Sequence, residues 1–197
     1  MSRLWRERIA LLLKPGEWQD AFKQALAGRK RADVTVVASN RLVRYVIVPR
    51  TKDVNGEDEE LALARHHFSR LHGERVRDWH VRFDSCTGLA SAVDLQLLEE
   101  LKSHLKNHRL VSLQPYLMAA FNASRDRVPK EGAWIVLPEA EATCVALFER
   151  GSWAGVSVSC NQVPPEALLE RERLRMGTPR SPRTVLKIAE QDLLAAT

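Results

Sequence analysis

Short apolar runs rich in β-branched residues alternate with stretches of helical period along nearly all of this chain. That alternation most limits what it can fold into. Ile9–Leu13, 32–38, 41–49, 79–84, 89–93, 110–113, 133–137, 143–149, 153–159 and 185–189 read as strands. Between them, 18–26 carries apolar residues at 18, 21, 22, 25 and 26, and 57–71, 94–105, 116–121 and 165–176 also read as helices. No apolar run approaches the roughly 18 to 20 residues needed to cross a bilayer. With 197 residues the chain can bury a sizeable core without staples. Its 45% hydrophobic and 28% charged content excludes disordered and collagen-like classes. The expected fold class is α/β, with mixed sheets flanked by helices.

Local signals sharpen this reading. Ser39-Asn40 between two β-rich runs predicts a hairpin over 32–49, and a run apolar on both faces (42–48) predicts an interior second strand. The acidic run 57–60 complements the start of a helix whose core stripe is Leu61, Ala64, Phe68 and Leu71, with Gly73 as its C-terminal cap. Asp94 suits an N-cap, and Pro115 the first position of a short helix. Arg150-Gly151-Ser152 reads as a tight hairpin turn, and Val128–Gly132 as the boundary between a first lobe (1–128) and a second, abbreviated one (129–197).

The net charge of +5 is unevenly placed: residues 1–50 hold 11 Lys and Arg against 4 Asp and Glu. Clustered cations attract polyanions. Yet no aromatic residue interleaves with Arg29, Lys30 and Arg31, and no nucleic-acid-binding motif is present, which disfavours nucleic acid and leaves a weak contact with anionic lipid headgroups. Three widely spaced cysteines suit a reducing compartment. The apolar run Ile9–Leu13 is too short for a signal-peptide core, which predicts a cytoplasmic protein.

The common catalytic constellations are missing. His104 and His108 lie four apart and His66 and His72 flank a helix end, but neither HExxH nor a cysteine pair at ligand spacing accompanies them, so no metal is expected. Gly151-Ser152-Trp153-Ala154-Gly155 has its serine one place early for a nucleophile elbow. Neither G-x-x-x-x-G-K-[ST] nor G-x-G-x-x-G occurs. Trp79, Trp134 and Trp153 suit core packing more than partner anchoring, and Trp153, just after a turn, is the one kept as a partner contact, with Arg41 and Arg44.

Three stretches together carry a resemblance: VVASNRLVRYVIVP (36–49), LASAVDLQLLEEL (89–101) leading into LVSLQPYLMAAFN (110–122), and AWIVLPEAEATCVALFERGSWAGV (133–156). In this order they resemble PilM and the cytoplasmic domain of GspL, pilus-assembly and type II secretion proteins that are divergent actin-like ATPases built from two ribonuclease H-like lobes. The resemblance spans about residues 8–160 and implies a shortened two-lobed version. It also implies a partner, a cytoplasmic tail of an inner-membrane pilus or secretion protein held in a groove between lobes, and a location at the inner face of the cytoplasmic membrane.

Actin-like ATPases cradle phosphate on two β-hairpins with Asp-x-Gly-type turns. The corresponding segments here read Leu13-Lys14-Pro15-Gly16-Glu17 and Leu137-Pro138-Glu139-Ala140-Glu141. Neither carries an aspartate, and each proline removes an amide donor. The first strand has no acid for two-metal nuclease chemistry. The expected function is a non-catalytic actin-like adaptor with no cofactor and no catalytic residue. One alternative is a nucleotide-binding ATPase with a degenerate phosphate loop, Lys14 near the phosphates and Glu139 or Glu141 near magnesium. Another is a weak nucleic-acid binder acting through Arg29–Arg31.

Overall fold

The chain runs β1 (Glu7–Leu13), α1 (Trp18–Leu26), β2 (Ala32–Ala38), β3 (Arg44–Ile47), α2 (Glu57–His72), β4 (Trp79–Asp84), β5 (Leu89–Asp94), α3 (Leu95–His104), β6 (Arg109–Pro115), α4 (Tyr116–Ala123), β7 (Ala133–Pro138), β8 (Thr143–Glu149), β9 (Ser152–Ser159), α5 (Pro165–Met176) and β10 (Val185–Lys187). This computed structural model describes residues 7–16, 18–49, 54, 56–160, 163–176 and 184–189. Three sheets result: parallel β1-β2-β6, antiparallel β3-β5-β4, and β10-β7-β8-β9, in which β10 runs parallel to β7 and the rest is an antiparallel meander.

Period-2 alternation divides the strands between separate cores. On β2, Val34, Val36 and Ala38 face a core shared with Trp18, Phe22 and Leu26 of α1 and Leu101 of α3, while Val37 faces the opposite way. On β7 and β8, Ile135, Leu137, Cys144 and Ala146 point to the same core as Val37, whereas Trp134, Val136, Val145 and Leu147 pack against Leu168 and Leu169 of α5. The sheet of β3, β4 and β5 packs with α2 through Ala64, Phe68, Trp79 and Val81. Helix α4 joins these parts. Tyr116, Leu117, Ala119, Ala120 and Phe121 are all buried, in one core with Val37, Leu89, Ile135 and Trp153. A helix buried nearly all round is a core element rather than a surface one.

Several local expectations need correction. Residues 32–49 form no hairpin: β2 lies in the parallel sheet, the 3-10 turn Asn40–Leu42 follows, and β3 belongs to another sheet. Strand β3 is an edge strand rather than an interior one, and both of its faces are apolar because Tyr45 and Ile47 pack on the central core while Val46 packs on the α2 core. Leu13–Gly16 is likewise no hairpin turn but the link from a parallel strand to α1, and Glu17 lies outside the described residues. Leu71 does not continue the α2 stripe; it is exposed in the last turn, just before Gly73, whose N–H bonds the Ser69 carbonyl.

Gly132, ahead of β7, has φ +106, and a Cβ there would stand 2.1 Å from the Phe148 carbonyl oxygen and 2.7 Å from Glu149 Cα. Only glycine lets the backbone of β8 approach so closely. Gly132→Ala should therefore cost about 2 to 3 kcal/mol, measured by urea unfolding. Gly28→Ala, at φ +75 with open space around it, should cost about 1 kcal/mol. Equal, small losses at both positions would contradict this packing.

Candidate functional site

The ends of β1 and β2 and the β7–β8 turn meet at one junction. Ser39, just past β2, donates its N–H to the Leu13 carbonyl at 2.9 Å. Its side chain caps the 3-10 turn by accepting from Arg41 N at 3.3 Å and donates its own proton to Glu139 Oε2. Glu139 Oε1 accepts from Asn40 N at 3.2 Å, so both carboxylate oxygens bond the start of that turn. Anions favour such starts, because backbone N–H groups there lack intrahelical partners.

Asn40 is 1% exposed and spans the same junction. Its Oδ1 accepts from Tyr45 OH at 2.6 Å and from Leu117 N, in the first turn of α4, at 3.2 Å. One side chain thus holds the end of β2, strand β3 and helix α4 together, while Glu139 adds the third sheet. The buried Nδ2 of Asn40 has no hydrogen-bond partner among the described residues.

The sequence-derived candidates sit around this junction in different roles. Glu139 is at its centre. Glu141 forms an ion pair with Arg41 across the same gap. Arg44 donates to the Arg41 carbonyl at 3.4 Å, and its guanidinium lies 5.8 Å from the Trp79 ring centroid. Lys14, one residue past the Leu13 carbonyl that Ser39 bonds, is exposed. Trp153 is elsewhere: it is 2% exposed, packed against Phe121 and Phe148 with centroids 4.8 and 5.1 Å away. The ring of His104 lies against Trp18, and that of His72 against Trp79. Among the described residues no three His, Cys, Asp or Glu side chains are grouped to hold a metal ion. Ser39, Asn40 and Tyr45 carry no catalytic motif; their traces in the sequence are the turn signal at Ser39-Asn40 and their place in the stretch 36–49 that carries the resemblance.

A second feature lies on the far side of the parallel sheet. Strand β6 pairs with β2 along one edge, and no strand pairs with its other edge among the described residues. That edge faces a groove of about 360 Å³ lined by every residue from Leu110 to Pro115. His80 and Arg82 of β4, Leu98 of α3 and Met118 and Asn122 of α4 form the walls. Consecutive residues line it because a strand edge, unlike a strand face, presents each residue's backbone. Val111 is 51% exposed within it. Burial, and then Arg82, Lys102 and Arg65, hold His80 below its ordinary pKa of 6.5, so the imidazole is neutral at neutral pH. Arg82 has no ion-pair partner among the described residues.

No family model and no curated protein matches the chain. Solved structures do. A Bacteroides thetaiotaomicron protein with an actin-like ATPase fold and unknown function matches with a TM-score of 0.53 at 10% identity, covering 91% of this chain and 72% of that one. A chain of the PilM-PilN type IV pilus biogenesis complex matches with a TM-score of 0.53 at 17% identity, over 82% of this chain. The present chain spans 52% of that one's length. The cytoplasmic domain of EpsL, from the type II secretion system of Vibrio cholerae, matches with a TM-score of 0.47 at 14% identity, covering 72% of this chain and 56% of that one. The fold is actin-like, as the resemblance in sequence implied.

Two outcomes test the junction. Glu139→Ala, which leaves the Ser39 hydroxyl and Asn40 N–H without their acceptor, should cost about 2 kcal/mol in urea unfolding; no loss would show the contact to be incidental. The second test is alkaline. Burial, then Cys144 and Glu139, raise Tyr45 well above its ordinary 10.0, and burial, then Glu139, raise Cys144 above its ordinary 9.0. The unfolded chain releases these protons first, so above about pH 9 it binds fewer protons than the folded chain and stability falls as pH rises. The urea midpoint should drop between about pH 8 and pH 10, and less steeply in Tyr45→Phe/Cys144→Ala. A fall as steep in the double variant would place its cause elsewhere.

Proposed function

We propose that this chain is a non-catalytic adaptor of a pilus or type II secretion assembly, which takes an extended cytoplasmic segment of an inner-membrane protein along the free edge of β6. Its two lobes are residues 1–128 and 129–197, and it works at the cytoplasmic face of the inner membrane. The free edge of β6, walled on both sides, is the observation that carries this reading. Strand addition satisfies backbone donors and acceptors along the edge, while alternate side chains of the segment find pockets that set specificity. Six groove-lining residues at about 3.3 Å each give some 20 Å of edge, enough for a segment of about six residues. Leu98, Leu110 and Met118 suit apolar side chains, and Arg82 suits one carboxylate.

A structure of like fold, a chain of the PilM-PilN type IV pilus biogenesis complex, agrees with a protein-binding role. The junction supports the non-catalytic part. Glu139 holds its carboxylate on the donors of the Asn40 turn, within the segment that the resemblance aligns with a phosphate hairpin.

The test uses synthetic peptides covering the cytoplasmic segments of single-pass membrane proteins encoded beside this chain, with binding read by fluorescence anisotropy. One peptide should bind, and Val111→Asp should weaken it at least about tenfold, since a segment laid along the edge would cover the new carboxylate and its lost hydration costs more than about 1.4 kcal/mol. Leu174→Asp, at an exposed position on α5, should change nothing. Binding that ignores Val111→Asp would remove the groove from the account.

A further inference from the structure

The loops at the opposite end of β2 and β6 from the Asn40 junction bring together residues 75 positions apart in the chain. Lys30 and Arg31, ahead of β2, and Lys106, Asn107, His108 and Arg109, leading into β6, line one basin of about 470 Å³. Among the described residues no carboxylate lines it. Lys30, Arg31, Lys106 and Arg109 have no ion-pair partner among the described residues. The neighbouring acids are Asp33, opposite Arg109 in the β2–β6 register, and Glu7, which pairs with Arg29.

Two ordinary explanations for such cations do not cover them. Cations in the last turn of a helix offset its dipole. Here that role belongs to Lys23 of α1 and Lys102 of α3, which are also paired with Asp20 and Glu99. The four basin cations lie beyond those turns. Scattered surface charge that serves solubility needs no common concavity, whereas these four converge on one although mutual repulsion opposes it. The buried Nδ1 of His108, in the same loop, has no hydrogen-bond partner among the described residues.

We propose that this basin binds the phosphate of an anionic phospholipid headgroup and so holds the start of β6 against a membrane surface. A compact cluster suits one or two headgroup phosphates. A duplex would need a row of cations along its backbone, and a single strand would need aromatic platforms for its bases; among the described residues no Phe, Tyr or Trp lines the basin. All four cations are exposed at its rim, as a ligand presented from a flat surface requires. The inference does not depend on a peptide in the groove, because it concerns other loops.

Co-sedimentation with phosphatidylglycerol vesicles, against phosphatidylcholine vesicles, tests it on the full chain. Each basic residue near an anionic surface contributes about fivefold to partitioning, so Arg31→Gln/Lys106→Gln should lower binding roughly 25-fold. Arg125→Gln/Arg127→Gln removes the same charge from an exposed 3-10 turn after α4 and should lower it far less. Both double variants change exposed side chains, and their melting curves should match that of the unaltered chain. Added salt should release the bound fraction. The proposal is overturned by an equal loss in the two double variants, or by no preference for the anionic vesicles. Binding of soluble pyrophosphate without vesicle binding would also overturn it, as would tighter retention on a duplex oligonucleotide than on the vesicles.

Discussion

The carboxamide oxygen of Asn40 accepts from Tyr45 and from Leu117, and this pair of bonds ties the end of the parallel sheet to strand β3 and to helix α4. A buried amide costs free energy unless it is bonded, and when its bonds go to separate elements it fixes their mutual placement. Here it sets where β2 ends, where β3 departs and how α4 begins. Glu139 then brings the β7–β8 turn onto the same three-residue turn. The Arg41–Glu141 pair flanks this contact but is more exposed, and exposed pairs add at most about 1 kcal/mol.

Apolar burial alone would leave these parts less defined. The buried residues fall into four clusters, and three of them are a sheet closed by its own helices: α1 and α3 on the parallel sheet, α2 on the β3-β5-β4 sheet, α5 on the outer face of the meander. The fourth contains α4 together with residues from all three sheets. Hydrophobic burial is non-directional, so it draws these surfaces together without choosing their register. The polar junction at the start of α4 makes that choice. Both carboxylate oxygens of Glu139 take part in it.

Much of the fold was legible where partners are close in the chain. Strands β7, β8 and β9 are successive neighbours, and three short β-rich runs with the turn at Arg150-Gly151 identified them. Arg150 takes a positive φ of 52 beside Gly151 at 78, which is the backbone of a tight two-residue hairpin turn. Strand β2 was read at its own bounds, but its pairing as a hairpin failed because its partners, β1 and β6, are far away in the chain, and a β-rich run followed by Ser-Asn looks the same whether the next strand folds back or crosses to another sheet. Glu139 and Glu141 were singled out for their position, but their partners Ser39, Asn40 and Arg41 lie about a hundred residues earlier, beyond any pattern of spacing. The edge of β6 and the basin at its start were invisible for the same reason. An unpaired edge is a property of topology, and four cations in two loops become one site only after β2 and β6 pair.

At the contact between the Asn40 turn and the β7–β8 turn, the Glu139 carboxylate takes the Ser39 hydroxyl and the Asn40 N–H as its donors, so a nucleotide phosphate would have to displace it. The most direct measurement is thermal melting of the unaltered chain with and without millimolar ATP and magnesium. A ligand that binds the folded state at 100 times its dissociation constant adds about 2.7 kcal/mol, which a melt of a chain this size resolves easily. The account predicts no shift. An upward shift of several degrees, lost in Lys14→Ala, would contradict it and make the junction a nucleotide site.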